Sequence, residues 1–490
     1  MKRIPNKKDW LLGLIPLIIF FCCYIYSDII LTTTRGIVFW ECIFNDVHDS
    51  IFTYVYRAVP NSMIPNGCIA ADYDFFFYLF FAIFDFPLWI FEKATGLSFV
   101  SYWITRLYAK SIILVFLFWS SCVFKKIVTR FTDETLATWS QYFYIISISV
   151  AHVIVVIGNY DIIAVTFILI GTYYYLCEDD RKFVLFFAIA ATCKMFALFV
   201  FVPLVLLRYK RVKDIIARVI LSISLIIIPK IIYVFYDKLV LSRDAFNSDK
   251  LNIVGTDSAN VVGNKIIAHS GMIDIKLFSG IGAPLSMDSI PLFIIVTLLL
   301  WWLCWKKNSA SEKDCIVYSS MGIFAFFLFC DTIPYWSILL LPYIVFFMIT
   351  NYSRITENAF LESVMMLSYI IYNNLTRLHI YQGKLLLDMI PLYRVKESII
   401  DNYGEPGFYL LIQRLSKAIG ISYDHIAATF LGIFALALLI FWVTNILHKE
   451  ETEYDFETIR KVAYSRMAIA IIVAMLPFIT MACRFVNGRM

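Results

Sequence analysis

The sequence predicts an all-α, polytopic integral membrane protein with about 13 transmembrane helices and amphipathic helices in its outer loops. Hydrophobic residues make up 61% of the 490 residues and charged residues only 16%, whereas the surface of a soluble protein needs far more charge. The apolar residues come in runs of about 16–25, the length that crosses a hydrocarbon core roughly 30 Å thick. Basic residues cluster in short connections between these runs, where they are expected to set the orientation of the chain in the membrane. The net charge of +5 is therefore no reason to expect nucleic acid as a partner.

The basic clusters orient the chain in the membrane. They include KRIPNKK at the start, Lys125-Lys126 and RYKRVK from Arg208, and the positive-inside rule places them together in the cytoplasm. The segment 28–100 holds only three Lys or Arg residues and lies on the other side. We therefore expect a cytoplasmic N-terminus and an outer C-terminus. No small-x-small cleavage site follows the first apolar run, which we keep as a permanent helix.

The predicted spans follow from the apolar runs and the loop charges together. Spans 183–193 and 195–207 are short for separate crossings. Two crossings are needed because the basic residues before the first and after the second must lie on the same side of the membrane. The full set is 10–27, 101–124, 136–157, 161–177, 183–193, 195–207, 219–236, 290–305, 315–330, 335–350, 359–375, 425–447 and 463–482.

Three outer segments remain, at 28–100, 237–289 and 376–424. The first contains DYDFFFYLFFAIFDFPLWIFEKATG, which we interpret as a helix lying along the interface because aromatic residues favour the headgroup level. A similar helix is expected within 376–424. Cys42 and Cys68 share the first outer loop and form either a disulfide or two free thiols. We divide the chain into a catalytic module at 1–350 and a C-terminal transmembrane region at 351–490.

Charged residues at the outer ends of spans are the candidate site. Asp28 is predicted to end the first span, Asp161 to open the fourth and Asp331 to end the ninth, while Lys194 interrupts an apolar stretch between two short helices. Each alone is an ordinary helix-end residue, but carboxylates and lysines near hydrocarbon are costly, and their grouping on one face predicts a shared polar cavity. No phosphate-binding loop, hydrolase or kinase motif, or metal-spaced Cys/His set occurs. No cofactor is indicated; a divalent metal stays open without a motif that points to it.

Three stretches in this order resemble the GT-C superfamily of membrane glycosyltransferases, in particular its polyprenyl-phosphate-mannose-type branch. They are SDIILTTTRG after the first span, the long stretch from GNYDIIAV to RYKR at 158–211, and CDTIPYWSILLLPYI at 330–344. The resemblance covers roughly residues 10–350. It implies a GT-C-like fold in which a lipid-linked donor lies with its tail in the bilayer and its head in an outer cavity.

The resemblance also implies roles for individual residues. Asp28 would be the general base toward an acceptor hydroxyl, and Lys194 would bind the donor phosphate. The residues implied for binding sugar or acceptor are Asn159, Asp161, Asp72, Asp74, Asp331 and Tyr335. The expected partners are a polyprenyl-phosphate sugar donor, a glycan or lipid-linked acceptor and membrane lipids, without nucleic acid. A bacterial plasma membrane is favoured over the endoplasmic reticulum.

Three other functions stay open at this point. A surface-polysaccharide polymerase or ligase would perform glycosyl transfer with a different donor. A transporter or flippase of lipid-linked glycans would show repeated halves, broken helices and intramembrane charges. A non-catalytic assembly or scaffold protein would need no acids at helix ends. Because the candidate residues cluster at one predicted membrane face, one-sided chemistry is favoured over transport.

Overall fold

Helices form nearly all of the described chain. The structure, a computed structural model, describes residues 4–24, 27–44, 59–61, 67–69, 75–244, 292–330, 332–376, 414–448 and 455–487. The predicted α-helical class is confirmed there. One small antiparallel strand pair joins β1 (Val59–Asn61) to β2 (Gly67–Ile69), with Pro60 opposite Cys68. The predicted segments 237–289 and 376–424, and the side chains of Cys42 and Cys68, lie mostly or wholly outside the described residues.

Ten helices are described before residue 245. In chain order they are α1 (Lys7–Cys23), α2 (Ser27–Phe44), α3 (Phe75–Thr95), α4 (Trp103–Val128), α5 (Glu134–Ile145), a π-helix (Val150–Ile157), α6 (Ile162–Leu176), α7 (Asp180–Cys193), α8 (Ala197–Arg208) and α9 (Val212–Asp244). A short 3-10 turn at Phe99–Ser101 precedes α4.

The helices after residue 291 are interrupted more often. They are α10 (Leu292–Lys306), α11 (Glu312–Phe329), a 3-10 helix (Pro334–Leu339), α12 (Leu341–Thr350), a 3-10 turn (Tyr352–Arg354), α13 (Ile355–Thr376), α14 (Tyr423–Leu447) and α15 (Phe456–Asn487).

Polar caps start several helices at the connections predicted to be cytoplasmic. Asn6 and Asp9 form a capping box at the start of α1, in which each side chain accepts a hydrogen bond from the other residue's backbone N–H. Ser311 and Asp314 repeat this arrangement at α11, and the Asp133 side chain caps α5. A cap satisfies N–H groups that have no partner within the helix, and it fixes where the apolar segment begins.

Several helices are long and apolar enough to cross a membrane, which confirms the coarse prediction of a membrane protein. Within the described residues these are Phe75–Thr95, Trp103–Val128, Val212–Ile232 and Tyr423–Leu447. Two bent pairs also qualify if each is one span, at Glu134–Ile145 with Val150–Ile157 and at Pro334–Thr350 with Tyr352–Thr376, which brings the number to six. Shorter apolar helices occur at Ile162–Leu176, Ala197–Arg208 and Phe293–Lys306. The full set of about 13 spans stays a prediction.

The first predicted span ends earlier than expected. The sequence prediction ran it to residue 27 and made Asp28 its last residue, but α1 ends at Cys23 and Asp28 lies in the first turn of α2. An acid in the first turn interacts favourably with the positive end of the helix dipole. The predicted end of the first span is therefore wrong by about four residues, and a second helix begins where the predicted outer segment 28–100 starts.

Helices α2 and α3 pack closely beside one another. Trp40 Nε1 donates a hydrogen bond of 2.6 Å to the carbonyl of Ala82, and Trp89 Nε1 donates to Glu41. Gly36 permits this approach, since a Cβ there would lie 3.1 Å from the Ala82 nitrogen. Helix α3 has the length and hydropathy of a span, and its predicted placement along the interface stays a prediction.

The C-terminal helices join the same hydrophobic core. The Arg466 guanidinium in α15 donates two hydrogen bonds, of 2.6 and 2.7 Å, to the Glu362 carboxylate in α13, and a third to the carbonyl of Phe143 in α5. Both charged side chains are 1% exposed. A buried ion pair is stable only if its hydrogen bonds are made. This pair connects helices that lie before and after residue 350 in the sequence. The division of the chain there stays a prediction.

Candidate functional site

The candidate site begins in the break between the π-helix and α6. We call residues Gly158–Asp161 the site loop. Gly158 has φ +69° and ends the π-helix in the left-handed conformation that glycine adopts at little cost. Asn159 Oδ1 then accepts a hydrogen bond of 2.7 Å from the Asp161 backbone N–H, which folds the loop and leads into α6. Long π-helices are rare and often mark functional sites.

A second break lies opposite the site loop. Helix α7 ends at Cys193 and α8 starts at Ala197, with Lys194 in an extended conformation between them. Lys194 Nζ lies 3.3 Å from Asp161 Oδ1, and the two side chains are 14% and 2% exposed. Charges that are largely removed from water need opposite charges beside them. Here the break before α6 supplies the carboxylate and the break between α7 and α8 supplies the ammonium group.

Two more elements reach the same ammonium group. Tyr335, in the 3-10 helix before α12, places its ring 5.8 Å from Lys194 Nζ. Asp28, in the first turn of α2, interacts electrostatically with Lys194 and is half-buried. The site therefore combines one cation with two carboxylates and an aromatic ring from four separate parts of the chain.

Helix α3 covers the site loop. The rings of Phe77 and Phe81 lie 5.3 and 5.6 Å from the ring of Tyr160. Tyr160 is 3% exposed, and its ring packs against the aromatic rings of α3. This packing excludes water from one side of the loop and strengthens the electrostatic interactions there.

Several buried polar atoms at the site make no hydrogen bond within the described part of the chain. They are both carboxylate oxygens of Asp161 and the side-chain nitrogen Nδ2 of Asn159. Asp161 keeps its ion-pair contact with Lys194. Because most buried polar groups in proteins are hydrogen-bonded, a cluster of such atoms beside a charged pair is typical of a site that binds a polar ligand.

Five of the residues predicted from the sequence come together here: Asp28, Asn159, Asp161, Lys194 and Tyr335. Their chemical roles stay predictions. The other three predicted site residues, Asp72, Asp74 and Asp331, lie outside the described residues. Of the described side chains, no group of three His, Cys, Asp or Glu is arranged to hold a metal ion.

The sequence prediction missed Lys110, which lies fully buried in α4. Its Nζ donates hydrogen bonds to the backbone carbonyls of Phe21 and Tyr24, at 2.7 and 2.6 Å. The sequence signal was present, since Lys110 interrupts the apolar stretch before SIILVFLFW just as Lys194 interrupts its own stretch. A lysine amid apolar residues is costly unless it is partnered.

A separate charged cluster lies at the opposite end of α7. The Asp180 carboxylate accepts hydrogen bonds from Arg208, Tyr209 and Arg218. Burial opposes ionisation of Asp180, but these hydrogen bonds outweigh it and lower the pKa of the carboxyl below its ordinary value. Every charged side chain in this cluster has a partner, which is typical of a structural role.

Comparisons with known proteins give no relative for this chain. No family model matches it, and no curated protein or solved structure matches it.

Proposed function

We propose that this protein is an integral membrane glycosyltransferase that moves a sugar from a polyprenyl-phosphate donor to an acceptor hydroxyl at the outer face of a bacterial plasma membrane. The proposal includes a GT-C-like organisation with about 13 spans and a cytoplasmic N-terminus. The observation that carries it is the buried Lys194–Asp161 ion pair, which lies where two helices break and within electrostatic reach of Asp28.

Lys194 is suited to bind the donor phosphate. An ammonium group has three N–H donors, so it can contact Asp161 and a phosphate oxygen at the same time. Asp161 keeps the ammonium charged and directed toward the site in a poorly hydrated environment. When the sugar leaves the donor, negative charge grows on the phosphate oxygen, and a fixed cation beside that oxygen stabilises the transition state.

Asp28 is suited to act as the base. Asp28 is half-buried as a residue, which leaves part of it open to an acceptor in the proposed outer cavity. In the proposed step the acceptor oxygen bonds to the anomeric carbon and its proton passes to Asp28. The bond from the anomeric carbon to the phosphate oxygen breaks, and the phosphate leaves with the electron pair. A positioned general base typically contributes about 10²–10⁴-fold to the rate.

The remaining polar atoms are suited to hold sugar or acceptor hydroxyls. Asn159 Nδ2 can donate and the Asp161 oxygens can accept hydrogen bonds, and none of these atoms is used by a hydrogen bond within the described residues. The ring of Tyr335 offers an apolar surface beside Lys194. We keep Asp72, Asp74 and Asp331 in the same proposed role from the sequence.

The broken helices also favour a second candidate, a transporter or flippase of lipid-linked glycans. Transporters bind substrates at discontinuous helices, and the apolar segments here bend by 42° after Ile145 and by 100° after Thr350. A transporter moves its substrate unchanged, however, whereas the paired Lys194 and the nearby Asp28 supply a phosphate-binding cation and a base. The glycosyl-transfer proposal therefore ranks first, with polymerisation or ligation of surface glycans as variants of the same chemistry.

The test uses the full-length protein in nanodiscs with a panel of radiolabelled polyprenyl-phosphate sugars and lipid-linked acceptors. We expect a new glycosidic bond from one donor, and we expect Lys194→Met to abolish its formation. Lys210→Met is the matched control, because Lys210 donates to the backbone carbonyls of Leu206 and Cys304 at the far end of α8, roughly 20 Å away along the helix. Movement of a labelled lipid across liposomes, with no new bond from any donor, would favour the transporter.

A further inference from the structure

Lys110 connects the ends of two helices that lead into the candidate site. Its Nζ donates to the carbonyls of Phe21 and Tyr24 at the C-terminal end of α1, and at 3.4 Å to the carbonyl of Val155 in the last turn of the π-helix. Carbonyls at a helix C-terminus have no partner within the helix and carry its negative dipole end. One buried ammonium group thus binds two such ends at once.

Each of these helix ends is followed at once by residues of the site. Asp28 comes four residues after Tyr24, and the site loop begins three residues after Val155. Four residues of chain span at most about 14 Å, so the position of the Tyr24 carbonyl restricts where Asp28 can lie. The position of the Val155 carbonyl restricts Asn159 and Asp161 in the same way.

The contacts of the Lys110 side chain leave little room for movement. Its ammonium group lies 3.9 Å from the centre of the Phe21 ring. A Cβ added at Gly158 would lie only 2.8 Å from Lys110 Cε. The first residue of the site loop is therefore packed directly on the lysine, and its glycine is required both by the positive φ and by this contact.

We infer that Lys110 is a positioning residue that sets the spacing between Asp28 and the Asn159–Asp161 part of the site. It touches backbone and not the proposed substrate, so it acts on the reaction only through the residues it holds. The base and the groups that hold the sugar or acceptor hydroxyls must be aligned on one reacting carbon, and a misplacement of about 1 Å can lower a rate by about 100-fold. The expected effect of Lys110 on sugar transfer rests on the proposed function. Its effect on the spacing between Asp28 and the site loop does not.

The test compares Lys110→Met with Asp9→Asn in the full-length protein. Asp9 is a matched control because it lies in the same helix as Phe21 and is 1% exposed, and its carboxylate accepts hydrogen bonds from Tyr464 and Arg460 at the opposite end of α1. Amide hydrogen exchange is measured in nanodiscs for peptides covering residues 27–35 and 158–166. We expect exchange in both peptides to rise about tenfold or more in Lys110→Met and to stay unchanged in Asp9→Asn.

Sugar transfer gives the second measurement. We expect Lys110→Met to lower kcat by about 10- to 100-fold with little change in KM for the donor, because the donor-binding groups remain while their alignment with the base is lost. If Lys110→Met does not fold, Gly158→Ala is the second variant, because its Cβ would press on Lys110 Cε. The substitution strains peptide 158–166 directly through the positive φ, so faster exchange in peptide 27–35 is the result that supports the positioning role and unchanged exchange there is the result that overturns it.

The outcomes separate the inference from the proposed function. Unchanged exchange in both peptides, or an equal rise in Lys110→Met and Asp9→Asn, would overturn the positioning role whatever the activity. Faster exchange confined to Lys110→Met, in a protein whose wild type transfers no sugar from any donor, would support the positioning role and reject the glycosyltransferase. Faster exchange with full transfer would overturn the claim that the spacing matters for the reaction.

Discussion

Lys194 and Asp161 form an ion pair across two helix breaks, with 3.3 Å between Nζ and Oδ1 and with both side chains largely buried. Neither break alone forms a site: Asp161 opens α6, and Lys194 separates α7 from α8. The pair places the Lys194 cation in a poorly hydrated region, and the negative charge of Asp161 offsets the cost of burying it. Asp28 contributes a second negative charge nearby.

The pair should be strongly coupled in stability. We expect Asp161→Asn or Lys194→Met alone to lower the free energy of unfolding by about 3–5 kcal/mol, because each leaves a buried charge without its nearest partner. The double variant should be less destabilised than the sum of the two, since it buries neither charge. Unfolding of the detergent-solubilised protein measures this cycle. Additive effects would show that the two side chains do not interact.

Replacement of Asp28 should separate catalysis from folding. Asp28→Asn keeps the shape of the side chain but removes the base, and we expect transfer to fall by about 10²–10⁴-fold while donor binding persists. Glu41→Gln is the control, because it makes the same change in the same helix at a carboxylate that pairs with Lys93. Near-full transfer by Asp28→Asn would move the base elsewhere, with Asp72, Asp74 and Asp161 as the next candidates.

The orientation of the chain is testable by labelling single cysteines in cells. By the positive-inside rule, cysteines at Asp46, Asp257 and Glu397 should react with a membrane-impermeant reagent from the outer side. Cysteines in the opposite connections, at Glu178, Ser309 and Glu453, should react only after the membrane is opened. Reaction of positions 46 and 397 from different sides would refute the predicted span count, and with it a single outer face for the site.

Asp180 should contribute to stability in a way that depends on pH. Its folded-state pKa is lowered, so its contribution is complete above the unfolded pKa of about 3.9 and disappears as the pH falls through the lower folded value. At pH 7 we expect Asp180→Asn to destabilise by about 1 kcal/mol, because the carboxylate is 40% exposed and solvent screens its interactions.

Unfolding of both proteins across pH measures this contribution. The difference between wild type and Asp180→Asn should be constant above about pH 5 and shrink below about pH 4. Asp214→Asn, in the first turn of α9, is the control for removing a carboxylate that does not belong to the Asp180 cluster. A difference that grows as the solution becomes more acidic would contradict the assigned direction.

Boundaries of helices were predictable where charges or breaks punctuate apolar runs. The predicted spans 161–177, 183–193 and 195–207 agree closely with α6, α7 and α8, because Asp161, Lys194 and the basic cluster at Arg208 each interrupt the hydrophobic pattern. The boundary near Asp28 was misplaced, since Tyr24 to Asp28 carries no glycine or proline and hydropathy alone does not show that one helix ends there and another begins.

The sequence predicted the candidate site only as a set of residue types that we expect at one membrane face. Lys194 was predicted as a site residue because a charge in an apolar stretch is costly. Lys110 meets the same criterion, but the criterion does not show which groups a buried lysine contacts. Lys194 has a carboxylate beside it, whereas Lys110 has backbone carbonyls beside it. Which partner a buried lysine meets depends on helix packing, and a sequence pattern does not contain that information.

By itself, the sequence determined that this chain is a helical membrane protein and which residues are too costly to bury without partners, because both follow from the free energy of transferring side chains out of water. Only the tertiary structure decided that Asp161 faces Lys194, that α3 covers the site loop and that Lys110 binds the ends of two helices. These contacts join residues far apart in the chain, and their geometry follows from how helices pack around glycines and aromatic rings rather than from the local pattern of any one segment.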